Sequence, residues 1–300
     1  MKVLVLTGPT GVGKTEVAIE LARRLGLELI SADSRQVYAW LDIGTAKPGP
    51  ELRSGVKFHM VDLVEPNRVY SAADYARDAT AVMRRLVRER KKFMVVGGAG
   101  LYIRALFEPF FDVPRPNESL RRRLDACPTS DLYRRLQAQD PARAAQLHPN
   151  DRQRIMRAVE VIELTGRTMT ELARTASRQS EFKPSYVVLT IERSLLYKRL
   201  DERFEAMMKA GFLDEVRRLR EAGFGRDTYV ANAYGYAELL AHLDGELTIA
   251  EAVNQAKAKT RAYARRQLTW CRSLPGAVWI EHTSVSATVD RVISMLGSCD

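Results

Sequence analysis

"KVLVLTGPTGVGKTEVAIELARRL", residues Lys2 to Leu25, decides how the rest of the chain is read. An apolar run, a glycine-rich turn and an amphipathic stretch follow one another without a break. Lys2–Thr7 reads as a buried strand, and Val17, Leu21 and Leu25 recur at the four-residue spacing of a helix. Between them Gly8, Gly13, Lys14 and Thr15 fit G-x-x-x-x-G-K-[ST]. Strand, loop and helix in that order are the context in which this motif binds phosphate. The glycines free the backbone to aim successive N–H groups at phosphate oxygens. A helix opening at Lys14 adds the positive end of its dipole. Lys14 supplies a mobile charge, and the Thr15 hydroxyl is a magnesium ligand by type. The motif predicts phosphate and leaves open what carries it.

Outward from this stretch, apolar strands alternate with helical patterns over the first hundred residues, as a parallel sheet with crossover helices requires. "LELISAD" reads as a second strand and "KFMVVGG" as another; between them "YSAADYARDATAVMRRLVRERKK" is a helix capped by Ser71 with Asp74. "FDVPRPNES" is a proline-bearing linker, beyond which Asn117 to Gly166 is helical in pattern and rich in arginine. Within it "HPNDRQRIMRAVEVIELTG" opens with a capping signal, Asn150 with Gln153, and stops at Gly166. "SYVVLTIER" restores strand character. "SLLYKRLDERFEAMMKAGFLDEVRRLREAG" and "TIAEAVNQAKAKTRAYARRQLTWCR" read as long helices, and "GAVWIE" as a final strand. The pattern predicts an α/β fold: a P-loop NTPase-like parallel sheet flanked by helices over 1–113 and 184–300, with an all-helical insertion over 114–183.

The balance of 47 basic against 37 acidic side chains, net +10, favours polyanionic partners, nucleic acid first. No apolar run approaches the roughly 20 residues that span a bilayer. "MKVLVLT" runs straight into the glycine loop without a cleavage site, so it is not a signal peptide. Cys127, Cys271 and Cys299 are far apart and odd in number, which predicts free thiols in a reducing cytoplasm.

A nucleotide hydrolase places an acid after an apolar strand to organise magnesium and water. Here "KFMVVGGAGLY" runs into glycines instead. The nearest acid is Asp33, just past the second strand in "SADSRQVY". In this topology that position lies at the carboxyl edge of the sheet beside the phosphate loop. A carboxylate there holds magnesium or takes a proton from a nucleophile; the alternative is a turn-forming Asx residue.

"GPTGVGKT", "SADSRQVY", "DIGTAKP", "YSAADYARDA", "VVGGAGLYIRAL", "PNDRQRIMRAVEVIELTG" and "RRQLTW" together resemble one family, the tRNA dimethylallyltransferases (tRNA isopentenyltransferases). They are spread over almost the whole chain, and "DSRQVY" followed by "DIGTAKP" is far more specific than the phosphate loop. The resemblance implies that Gly8, Thr10, Gly11, Val12, Gly13, Lys14 and Thr15 grip the diphosphate of dimethylallyl diphosphate, which departs as the leaving group. The five-carbon group passes to the exocyclic amine of the adenine just 3′ of the anticodon. No attacking water needs an acid, which accounts for the glycines after "KFMVV".

On this reading Asp33 is the base, and Lys14, Thr15 and Mg2+ stabilise the departing charge. Lys257, Arg261 and Arg265, four residues apart on one helix, are expected to close over the phosphates; a solvated helix face is the alternative. The resemblance assigns tRNA contacts to Asp33, Ser34, Arg35, Gln36, Ala99, Arg121, Asn232 and Tyr236, and to Gln153, Arg154, Ile155, Met156 and Arg157 of the insertion. Ile155, Val159 and Ile162 form the apolar face of that helix, with Gln153, Arg154 and Arg157 opposite. Three departures stand out: Ala99 where the family commonly has Thr, "GVGKT" for "ASGKT", and a less basic "ANAYGYAELL" around Asn232 and Tyr236. The chain ends without the zinc extension of eukaryotic relatives, which implies the bacterial type. A monomer binding the anticodon stem-loop, with no membrane partner, is expected.

Two rivals remain at this point. A small-molecule or nucleotide kinase shares the loop and could use Asp33 as base, but leaves the arginine-rich insertion without a purpose. An RNA-binding module whose loop only senses phosphate would bind in a salt-dependent way without turnover.

Overall fold

The apolar run at the start of the chain forms β1 (Lys2–Thr7), the central strand of a six-stranded sheet in a computed structural model that describes residues 1–108, 113–175 and 180–297. Two compact units result: Met1–Phe107 with Glu181–Asp300, and Glu108–Ser180. Glu181, Phe182 and Lys183, assigned from sequence to the insertion, pack in the first unit, whereas Glu108 and Val113, assigned to the core, fall in the second. The chain's amino group donates to the Glu181 carbonyl, and the Phe182 ring meets Phe93 edge-on at 6.2 Å.

In the first unit β1 is followed by α1 (Lys14–Leu25), β2 (Leu27–Ser31), α2 (Pro50–Arg53), β3 (Phe58–His59), α3 (Ala72–Arg88), β4 (Lys92–Val96) and α4 (Gly100–Phe107). The second unit holds α5 (Glu118–Asp125), α6 (Thr129–Gln139), α7 (Pro141–Ala144), α8 (Arg152–Thr165) and α9 (Met169–Thr175). The chain returns through β5 (Lys183–Thr190), α10 (Arg193–Lys209), α11 (Phe212–Glu221), α12 (Tyr236–Leu243), α13 (Ile249–Cys271), β6 (Val278–Glu281) and α14 (Val285–Gly297).

All strand pairs are parallel, in the order β3-β2-β4-β1-β5-β6. Side chains alternate across the pleat. Val3 and Val5 therefore join Ile30 and Val95 in one apolar layer, while Leu6 joins Leu29, Met94 and Val187 in the other. Helix α1 buries Val17 and Leu21 completely in the second layer, each worth about 1.5–3 kcal/mol relative to exposure. Ser71 and Asp74 make the expected capping box on α3. From β1 the chain crosses to β2 on one side; from β4 it crosses to β5 on the other. Connections that diverge in this way open a crevice at the carboxyl ends of the strands.

The structure corrects two local expectations. The first long helix is two, α10 and α11, because Gly211 adopts φ 93°, a left-handed conformation that interrupts helical hydrogen bonding. In α8 the N-cap is Asp151, one residue later than expected, its carboxylate accepting from the Arg154 N–H at 3.3 Å. Gly166 does end that helix, at φ 67°. Phe111 and Asp112 of the linker, and Cys299, lie outside the described residues. Among the described residues no helix is long and apolar enough to cross a membrane.

Candidate active site

A cavity of about 550 Å³ opens at the carboxyl edge of the sheet, lined by Thr10, Gly11, Gly13, Lys14 and Thr15 of the loop after β1 and by Asp33 after β2. The loop needs two of its glycines for distinct reasons. A Cβ on Gly8 would lie 2.4 Å from the Leu189 carbonyl oxygen of β5, and Gly13 sits at φ 98° directly before α1. Backbone N–H groups at the start of α1 have no helical acceptor, so they offer hydrogen bonds to an anion.

The loop is fastened from outside. The Thr10 N–H donates to Gln267 Oε1 at 2.8 Å, while Gln267 Nε2 donates to the Gly98 carbonyl at 2.9 Å. One buried side chain on α13 thus ties the phosphate loop to the turn after β4. Arg203 of α10 donates to the Thr10 hydroxyl at 2.8 Å, and the Lys14 ammonium donates to the Pro9 carbonyl at 2.7 Å. Burial pushes the Lys14 pKa down to about 8, with the Asp33 carboxylate opposing it. Burial likewise lowers Arg203, against the attraction of Glu16 and Asp33. A site that strips water from two cations is prepared for an anion.

Asp33 Oδ1 accepts from the N–H groups of Arg35 at 2.8 Å and Gln36 at 3.3 Å, an Asx turn. The turn does not exclude the base role, because it engages one oxygen and seats the carboxylate in the cavity. Tyr263 on α13 stands near: burial first, then the Asp33 charge, raises its phenol.

Several expected contacts fall elsewhere. Lys257 pairs with Glu205 at 2.7 Å and Arg261 with Asp201 at 2.6 Å, both acids on α10; Arg265 is exposed, and none of the three lines the cavity. The cations that do line it with Lys14 are Arg199, Arg203 and Lys47. Tyr236 is fully buried, its hydroxyl donating to Glu215 Oε1 at 2.6 Å, so its side chain packs in the core. Gln36 lines the cavity, and its amide donates to the carbonyls of Thr45 at 3.2 Å and Ala46 at 3.4 Å, which holds that loop. Val12 is fully buried and serves packing, Ala99 is buried, and Ser34 is partly exposed. Asn232 ends a 3-10 turn, Tyr229–Asn232, and its side chain lies outside the described residues. The residues missed from sequence had a faint signal: Arg199 and Arg203 are four apart on the helix that follows a strand neighbouring β1.

In the second unit Arg121 and Arg157 converge on Glu160, which is fully buried. Burial would raise the Glu160 pKa, but the two guanidiniums and the Asn117 N–H outweigh it and hold the carboxyl below its usual value. These arginines therefore build the helical unit. Ile155 is fully buried among Leu120, Leu124 and Val159, and Met156 packs against that cluster, so their side chains are structural. Gln153 and Arg154 are exposed, Arg154 only 3.5 Å from Asp151.

A sequence model of the IPP transferase family matches residues 36–274. The tRNA dimethylallyltransferase 1 of Citrifermentans bemidjiense is 43% identical over 290 residues, which cover 96% of this chain and 95% of that protein. The chain belongs to the tRNA dimethylallyltransferase family. The Thermotoga maritima member is 39% identical over 286 residues, 94% of this chain and 93% of its own. Among solved structures, the tRNA isopentenylpyrophosphate transferase of Bacillus halodurans superposes with a TM-score of 0.74 at 35% identity, covering 99% of this chain and 96% of that one. A eukaryotic dimethylallyltransferase captured acting on tRNA gives a TM-score of 0.83 at 27% identity, covering 99% and 78%. Membership of the dimethylallyltransferase family favours the prenyl-transfer reading over the kinase one and agrees with a parallel sheet whose β4 runs into Gly97 and Gly98.

Proposed function

We propose that the protein transfers the dimethylallyl group of dimethylallyl diphosphate to the exocyclic amine of the adenine 3′-adjacent to the anticodon in tRNA, releasing diphosphate. One observation carries the reading: a helix N-terminus with Lys14 and Arg203 faces the same cavity as a turn-held carboxylate, Asp33. The amine nitrogen attacks the allylic C1, the bond from C1 to the diphosphate oxygen breaks, and the amine proton passes to Asp33. The N–H groups opening α1, with Lys14 and Arg203, hold the charge that grows on the leaving group. The adenine must leave its stack in the anticodon loop to reach Asp33, and exposed Gln153 and Arg154 are two insertion residues available to tRNA.

The donor set suits Mg2+: Thr15, Asp33 and Glu16 line the cavity with hard oxygens. Thr15 is the residue that would hold the ion; when bound, it neutralises part of the diphosphate charge. The free thiols Cys127 and Cys271 support a cytoplasmic setting, and we take the working form as a monomer.

Incubation with dimethylallyl diphosphate, with and without tRNA, tests the reading. Inorganic diphosphate should appear only when tRNA is present. Formation of ADP from ATP with a small acceptor, and no diphosphate release, would favour the kinase instead.

A further inference from the structure

One polar side chain of the phosphate cavity comes from the far end of the chain. His282, the residue after β6, is 8% exposed, and its backbone N–H extends the sheet by donating to Thr190 at 2.8 Å. Its ring lines the same cavity as Gly13 and Thr15. Nδ1 lies 2.9 Å from the Thr288 hydroxyl, and that hydroxyl donates its own proton to the Ser284 carbonyl at 2.7 Å. Thr288 is therefore the acceptor, and Nδ1 carries the proton. Nε2 has no hydrogen-bond partner among the described residues. It lies 2.7 Å from where a Cβ on Gly13 would stand, immediately before the first N–H groups of α1.

We propose that His282 is a ligand of the diphosphate, Nε2 sharing a proton with a phosphate oxygen seated on the N-terminus of α1. This deepens the function proposed above and rests on it. With Nδ1 already donating, the shared proton comes either from an imidazolium or from a protonated phosphate. The contact forms in both cases and is lost when neither partner holds that proton. The charged groups acting on the ring oppose one another: Arg199 of α10 disfavours a positive ring, and Glu16 of α1 favours it, while α14 contributes the uncharged Thr288. Burial keeps the free ring neutral, so capture of the anion brings a proton with it.

The test uses the intact protein with magnesium and inorganic diphosphate as the probe, by calorimetry at pH 7 in buffers of different ionisation enthalpy. His282→Gln, which cannot share a proton from an imidazolium, should weaken binding about tenfold, a loss of roughly 1.4 kcal/mol. It should also take up fewer protons than the wild type. Equal affinity and equal proton uptake in a folded variant would reduce His282 to a packing residue against Gly13. A measurement on the wild type alone is independent of how the variant folds. The chain has four histidines, so 15N-histidine spectra should show one Nε2 signal moving from the unprotonated to the hydrogen-bonded range on addition of diphosphate. If no histidine signal moves while diphosphate binds, the inference is wrong. If the wild type binds no diphosphate at all, the functional reading beneath it fails first.

Discussion

Asp33 and Lys14 carry opposite parts of the proposed chemistry, and each predicts a different failure. Asp33→Asn keeps the Asx turn through its carbonyl oxygen but cannot take a proton. Single-turnover rates should fall by about a hundredfold or more with tRNA affinity retained; an unchanged rate would remove Asp33 as base. Lys14 has a pKa near 8 in the free site, and a bound diphosphate raises it. Below about pH 8 the ammonium is charged with or without ligand, so Lys14 adds no pH dependence to the affinity there. Above it, binding must draw in a proton, so the KM for dimethylallyl diphosphate should rise with pH, and in Lys14→Ala this pH-dependent component should vanish. At this scale the sequence was informative where backbone conformation dictates residue type. "GPTGVGKT" and the acid after the second strand needed no coordinates. The intramolecular partners of Tyr236 and Gln36 were not legible, because a polar group on a side chain does not say whether it meets solvent, substrate or the protein's own backbone.

Periodicity identifies a helix face but not what lies opposite. Lys257 and Arg261 do share a face of α13, yet that face meets Asp201 and Glu205 on α10, which absorb their charge. The Arg199 and Arg203 stripe on α10 has the same spacing and faces the cavity. Gln267, also on α13, joins the elements around the loop. Gln267→Ala leaves the Thr10 N–H and Gly98 carbonyl without partners, which should cost about 1–3 kcal/mol in urea unfolding and raise the KM for dimethylallyl diphosphate. In α8 two arginines three positions apart should behave differently. Arg154→Ala should weaken tRNA binding and reduce its salt slope by about 1 with stability unchanged. Arg157→Ala strips a partner from buried Glu160 and should destabilise the helical unit by about 3 kcal/mol in the same unfolding assay. Because the folded Glu160 pKa is depressed, that pairing contributes above the unfolded value near 4.3 and should fade as pH falls through the folded one.

For the whole molecule, alternating strands and helices made a parallel sheet readable, which puts the loops after β1 and β2 at one carboxyl edge. The two-residue strand β3 and the break at Gly211 were not readable. Two residues carry no period, and a glycine within a helical pattern signals an end only when its φ is known. His282 escaped notice for a topological reason: β6 is added at the edge of the sheet, and only pairing with β5 returns the residue after it to the loop that opened the chain. The claim on which the rest depends is that this loop holds a diphosphate that leaves while a tRNA adenine is alkylated. Mass spectrometry of tRNA after incubation with the protein, magnesium and dimethylallyl diphosphate tests it most directly. The account predicts one added five-carbon unit on the adenine 3′ of the anticodon; tRNA recovered at unchanged mass would contradict it.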